Sequence, residues 1–367
     1  MLKSYIWPLP TRIFHWLLVL YIAIAFLSAD IEWLLPLHSA VGYGVGVLIL
    51  FRIVWGFIGP IYSRFSDWPL SIKEAIEFTL SLLYPQKHYP GHNPAASFVM
   101  LGIIIVALLS VLTGVLTYGI QEGRGVLAFL HSSYFKEMEV FEEVHEFFTT
   151  LLFALIAVHI TGVIVDTILH KEIRTLRSMI DGYKNIQAQD AKLNALQKVV
   201  ATLFLTAALL VPIVALTLDT PLQRSIHEPI EYEEELSLFS QECGACHTLY
   251  PPFLLPSSSW KKIMANLENH FGDDASLEED EKKTIESFLV RHGAEHSTKE
   301  AAVYILKSIK SDTIAITKTP FWQKKHATID KKIFTSKKVR SKANCKACHT
   351  DIEKGLIEDR NIRLPKV

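Results

Sequence analysis

Apolar residues crowd into the first 218 positions as five long runs, at 13–29, 38–58, 98–118, 147–168 and 199–218. At 1.5 Å of rise per residue each run is long enough to cross a hydrocarbon core of roughly 30 Å. The pattern predicts five membrane-spanning helices, the fifth carrying Pro212 as a candidate kink. Beyond residue 218 the long runs stop. An acidic stretch at 219–235, interrupted by Pro221 and Pro229, reads as a linker. After it, spacings of three and four place Trp260, Ile263, Met264, Leu267 and His270 on one stripe, predicting a helix over 257–271. Ser276 and Glu279 form a capping box for the next helix, whose stripe is Ile285, Phe288, Leu289 and His292. The expected fold is all-α. Residues 1–185 form a four-helix transmembrane bundle, 186–235 the fifth helix and linker, and 236–367 a small, mostly helical domain.

Charge gives the bundle a direction. The 367 residues carry a net charge of −1, which offers no footprint for nucleic acid. Lysine and arginine gather before the first run, between the second and third, and between the fourth and fifth. The first connection has Asp30 and Glu32 and no cation, and the third is acidic around Glu137 to Glu143. Positive charge stays on the cytoplasmic side, so the N-terminus is expected inside and the chain after residue 218 outside. Arg12 and His15 are poor residues for a cleaved signal peptide, so the first run reads as a retained helix.

All four cysteines fall into two strings, CGACH (Cys243, Cys246, His247) and CKACH (Cys345, Cys348, His349). Two thiols for haem vinyl groups and an adjacent imidazole for iron make the c-type haem attachment pattern, written twice. Four thiolates on one zinc ion is the competing reading, but zinc does not require a histidine after each pair. A disulfide scaffold fits less well, because two intervening residues make a tight loop.

Histidines at membrane depth are functional candidates by default. Expected depth pairs His15 with His159 near the inner surface, and His38 with His145 near the outer one. His145 and His159 share a helix face, about 21 Å apart along the axis. Two bis-histidine b-haems account for all four. Gly42 and Gly162 leave space beside His38 and His159, and Arg12 and Arg52 stand at the level of the inner haem's propionates. The strings WPLPTRIFHW, LHSAVGYGVGVLILFRIVWGFIG and PGHNPAASFVMLG, with the His145–His159 helix, resemble the bacterial cytochrome b561 and nickel-iron hydrogenase b-type cytochrome family. The resemblance covers 5–185. It implies two b-haems held by those histidines, and exchange between membrane quinone and a periplasmic redox partner.

For the sixth ligands of the c-haems, His270, His292, His326 and Met264 are candidates. His270 is favoured for the first and His326 for the second, while His292 at a helix end also suits a capping role. Through ECGACHTLYPPFLLP, NHFGDDASL, TPFWQKKH and NCKACH, residues 236–367 resemble the dihaem cytochrome c family of bacterial periplasms, which implies two bis-histidine haems. Ligands can cross between haems, so sequence order does not fix the pairing. Lysines from Lys318 to Lys346 surround the second string and suit an acidic soluble partner.

The expected function is electron transfer in the bacterial inner membrane, from quinol through two haem b and two haem c to a soluble periplasmic acceptor. As an enzyme this would be a quinol:cytochrome oxidoreductase. The reverse route carries electrons from a periplasmic dehydrogenase or hydrogenase to quinone. A haem enzyme acting on oxygen or superoxide is a third class. His88 and His92, around GHNP, lie on the face where a quinone would exchange protons beside the inner haem, but read rather as loop residues capping the third helix.

Overall fold

The computed structural model describes residues 3–81, 88–230, 232–310 and 313–366. Lys87 and the side chains of 233–236, in the expected acidic linker, lie outside that set. In chain order the helices are α1 (Leu9–Ser28), α2 (Leu35–Ile58), α3 (Ile72–Leu80), α4 (Pro94–Leu116), α5 (Ser133–Met138), α6 (Val140–Leu169), α7 (Thr175–Asp181) and α8 (Ala195–Thr217). They continue as α9 (Tyr232–Gly244), α10 (Ser257–Met264), α11 (Glu279–Arg291), α12 (Glu300–Ser308), α13 (Pro320–Lys325) and α14 (Lys331–Thr335). Among the described residues the architecture is all-α apart from a two-residue antiparallel pairing of β1 (Ser4–Tyr5) with β2 (Tyr183–Lys184). It divides into unit 1 (Met1–Tyr118 and Val140–Arg224) and unit 2 (Gly119–Glu139 and Ser225–Val367).

Unit 1 is built on α1, α2, α4, α6 and α8, all long and apolar enough to cross a membrane. This is a multi-pass membrane protein. Start signals agree with the elements. Asn93 caps α4 ahead of Pro94, and Asn194 and Gln197 close a capping box on α8. Glu142 and Glu143 sit in the first turn of α6, where the helix dipole favours carboxylates and extends the helix outward from its apolar run. The centre is α2, which packs against α1, α4 and α8 and buries Leu48, Ile49, Phe51 and Trp55. Leu20, Phe57, Phe147, Ile160 and Leu203 face outward, an apolar exterior suited to lipid. Pro212 sits inside α8 without ending it.

Unit 2 has a core of Phe239, Leu255, Trp260, Ile263, Met264, Ile285, Phe288 and Leu289, with a second cluster around Phe253, Ala302, Ile305 and Ile352. Two expectations are corrected here. The helix beginning at Ser257 ends at Met264, and the apolar stripe continues through a short turn at Leu267–Asn269. His270 follows in non-helical backbone, in a tight turn closed by reciprocal amide bonds with Asp273 at 2.8 and 3.2 Å. Phe271 and Gly272 adopt positive φ in that turn, which no helix tolerates. The α11 capping box is formed by Glu278 and Glu281; the Ser276 hydroxyl donates instead to Asp274 at 2.6 Å.

Candidate functional site

Four pairs of imidazoles face one another, two in each unit. His15 on α1 and His159 on α6 have ring centres 6.5 Å apart, and His38 on α2 and His145 on α6 are 6.2 Å apart. In unit 2, His247 and His270 are 6.1 Å apart, as are His326 and His349. The four separations agree to within 0.4 Å, and each would leave room for one metal ion between two imidazoles. Two other histidine pairs, His88–His170 and His131–His227, are closer, at 5.6 Å.

Hydrogen bonds aim several of these rings. The Nδ1–H of His38 donates to the Ala25 carbonyl at 2.9 Å, leaving Nε2 with a lone pair available to a metal. The Thr113 hydroxyl donates to the Leu109 carbonyl at 2.8 Å, so at 3.1 Å it accepts from His145 Nδ1. His247 Nδ1 donates to the Thr248 carbonyl at 2.7 Å, and His326 Nδ1 to the Trp322 carbonyl at 2.8 Å. Glycines make room on the same faces: a Cβ on Gly42 or Gly162 would meet no protein atom within 4 Å. A Cβ on Gly114 of α4 would press on the His145 ring at 3.0 Å.

The four cysteines are unpaired thiols beside these histidines. Burial pushes the Cys243 thiol up to about 12 and the Cys345 thiol up to about 11. Among the described residues no three histidine, cysteine or carboxylate side chains converge as a metal cage, so the two strings do not build one four-thiolate site. The residues therefore fit haem: paired imidazoles throughout, and paired thiols in unit 2 only.

Other candidates separate. Arg52 is buried, with its guanidinium over Phe65 and Trp68 at 5.0 and 4.9 Å, and its Nη1 has no hydrogen-bond partner. An anionic group would complete it. Arg12 is committed to backbone carbonyls, donating to Trp7 at 3.1 Å and to Ile180. Met264 lies in the apolar core, and His292 Nδ1 donates to the Phe288 carbonyl at 3.0 Å, as a helix-end histidine does. The expected capping by His88 or His92 is corrected, because Asn93 caps α4 through a 2.8 Å bond from Ala96. His92 lies between Trp7 and Trp68, at 5.2 and 4.9 Å, on a cavity of ≈ 320 Å³ lined also by Tyr62, Asp67 and Tyr89. Burial, with Arg52 and Lys184 nearby, lowers it to about 3 and keeps the ring neutral. No periodicity or spacing singled out His92, since its surroundings come from three distant segments.

Comparison with known proteins follows the same division. Residues 6–182 match the family model for prokaryotic cytochrome b561, and residues 239–357 match that for dihaem cytochrome c. Over 152 residues the chain is 26% identical to a probable Ni/Fe-hydrogenase 1 B-type cytochrome subunit of Escherichia coli K12, covering 34% of this chain and 65% of that one. Over 165 residues it is 27% identical to a probable Ni/Fe-hydrogenase B-type cytochrome subunit of Bradyrhizobium diazoefficiens, covering 41% and 66%. The chain thus spans about 65% of the length of these relatives. Among solved structures, a dihaem cytochrome c of Shewanella baltica is 35% identical, covering 35% of this chain and 92% of that one, with a TM-score of 0.29. A dihaem cytochrome c from Rhodobacter sphaeroides is 39% identical, covering 35% and 98%, with a TM-score of 0.30. Cytochrome b561 proteins bind b haems and dihaem cytochromes c bind c haems. This chain joins a part that matches prokaryotic cytochrome b561, residues 6–182, to a part that matches dihaem cytochrome c, residues 239–357.

Proposed function

We propose that the chain carries electrons across the bacterial inner membrane, from quinol through two b-haems and two c-haems to a soluble periplasmic acceptor. The observation that carries this reading is the set of four imidazole pairs at 6.1–6.5 Å, two in the membrane bundle and two beside the thiols. His15 with His159 holds the inner b-haem, and His38 with His145 the outer one. His247 with His270, and Cys243 with Cys246, hold the first c-haem; His349 with His326, and Cys345 with Cys348, hold the second. When bound, the haem irons supply one-electron chemistry. The protein supplies ligand orientation through Ala25, Thr113, Thr248 and Trp322 and exclusion of water by the α2 core. At Arg52 it supplies a cation for a propionate. The charge asymmetry of the connections supports an inside N-terminus and an outside unit 2. The cavity beside His92 has room for a quinone ring, with the neutral imidazole on its wall as a hydrogen-bonding group.

The reverse current, from a periplasmic dehydrogenase or hydrogenase to quinone, is a second reading. It is favoured by relatives that are hydrogenase b-type cytochrome subunits. Action on oxygen or superoxide fits less well, because paired imidazoles leave no open position; a carbon monoxide shift in the reduced spectrum would mark such a site. The test of direction is anaerobic: menaquinol or ubiquinol is added to the oxidised protein, and b and c bands are followed separately. Reduction of b followed by c is expected, and His159→Ala should remove one b-haem and block c reduction. Reduction of the haems by a periplasmic donor alone would overturn the outward reading.

A further inference from the structure

The two c-type sites of unit 2 carry opposite surface charge. Residues 266–286, which hold His270, contain eight carboxylates and two lysines. Residues 318–346, which run from before His326 to the second thiol string, contain nine lysines and Arg340 against Asp330 alone. The charge is presented outward: Lys324, Lys331, Lys332, Lys337, Lys338 and Lys342 are all exposed. Among the described residues, Lys324, Lys331, Lys332, Lys337 and Lys342 pair with no carboxylate.

These cations frame an aromatic group. Trp322 of α13 stacks on His326 with ring centres 4.3 Å apart and planes 13° apart, and Phe334 of α14 lies 6.0 Å from Trp322. Lys342 sits over both rings, at 5.7 and 6.0 Å. A partly exposed tryptophan ringed by lysine has the anatomy of a transient docking site, with an aromatic centre inside a charged rim that steers encounter.

We propose that Trp322 and the lysine collar of α13 and α14 are the electron exit of this protein, docking an acidic soluble one-electron carrier at the second c-haem, while the acidic surface around His270 excludes the same partner from the first. This rests on His326 and His349 holding that haem. One electron leaves ferrous iron and reduces the partner's oxidised centre by one unit, with no proton or bond exchanged. The stacked indole shortens the gap between the partner and the His326 ring.

The test uses the full chain in nanodiscs of uncharged lipid, reduced chemically, so that quinol reactivity plays no part. Its oxidation is timed with native cytochrome c, which is lysine-rich, and with succinylated cytochrome c, which is acidic. At about 10 mM ionic strength, where the Debye length is about 30 Å, the acidic form should react about tenfold faster, and the advantage should vanish by about 300 mM. The variant K331E/K332E/K337E/K338E should cancel or invert the preference with its haem content intact. Trp322→Leu should slow both carriers several-fold without changing the charge preference, and Trp322→Phe should restore most of the rate. Equal rates for the two carriers, or a preference that survives the charge reversal, would overturn the proposal. So would binding of phosphatidylglycerol vesicles through these lysines without any charge preference in electron exchange, which would make them a membrane contact. A His326→Ala control tests the ligand assignment separately: conversion of one c-haem from low-spin to high-spin, with haem content unchanged, is expected, and an unchanged spectrum would remove the assignment.

Discussion

At the scale of residues, the histidines that face one another are held by partners of modest appearance. His145 is aimed by Thr113, whose own hydroxyl proton goes to Leu109. Thr113→Val keeps the volume but removes the acceptor, so the ring loses its tautomer and its aim. Partners of this kind are typically worth about 10–100-fold in metal affinity. We expect Thr113→Val to lose haem b from the His38–His145 site on dialysis, with Thr113→Ser retaining it, read as the b-to-c ratio in a pyridine haemochrome assay. His227 gives a pH prediction. Burial, with Lys299, His131, Arg124 and Lys136 around it, lowers it from 6.5 to about 3. Between those values the unfolded chain takes a proton that the folded chain refuses, so stability falls as pH drops through that window. Melting of unit 2, followed from pH 7 to pH 4, should show this loss, and His227→Asn should flatten it. The thiol strings and membrane histidines were legible because their chemistry is local. Thr113 and Trp322 were not, because each matters only through a residue that folding brings to it.

At the scale of elements, five long apolar runs announced five helices, and all five are present. Their ends were less legible. α6 begins at Val140, seven residues before its apolar run, because Glu142 and Glu143 suit a helix N-terminus although they are polar. The stripe ending at His270 failed as a helix because a short turn can keep Leu267 in the core without continuing the α10 backbone. How α8 joins the bundle is visible only in three dimensions. Tyr21 donates to the Ala208 carbonyl at 2.9 Å, and a Cβ on Gly44 would stand 2.6 Å from the Tyr21 ring and 2.9 Å from Pro212. Gly44 is therefore the close approach of α1, α2 and α8. Gly44→Val should cost about 1–3 kcal/mol by overpacking and lower the melting temperature of the bundle in detergent. Gly42→Ala meets no protein atom, so its effect should appear as lower haem b content at the His38–His145 site and not as overpacking of the helices.

At the scale of the whole molecule, the division by sequence and the division by packing differ in one segment. Composition ended the membrane part and started the c-type part near residue 236, with everything between the third and fourth runs taken as a connection. Packing assigns Gly119–Glu139 to unit 2. Its anchors are specific. Arg124 pairs with Glu358 at 2.5 Å, both mostly buried, and His131 Nε2 bonds the Thr298 carbonyl at 3.1 Å. Tyr304 of α12 donates to Glu139 at 2.6 Å, and α5 packs along α12. None of this follows from periodicity, because each partner is more than 160 residues away. Arg124→Ala would leave the Glu358 carboxylate, 8% exposed, with Arg360 as its other cation at 3.1 Å, so we expect a loss of about 1–3 kcal/mol. Residues 225–367 expressed alone would uncover the α12 face and the same carboxylate together. That fragment should show faster amide exchange in α12 than the full chain does, and adding a peptide of residues 119–139 should slow it again. Identical exchange in α12 with and without the segment would mean that the dihaem part is complete from residue 225 onward and that 119–139 only rests on it.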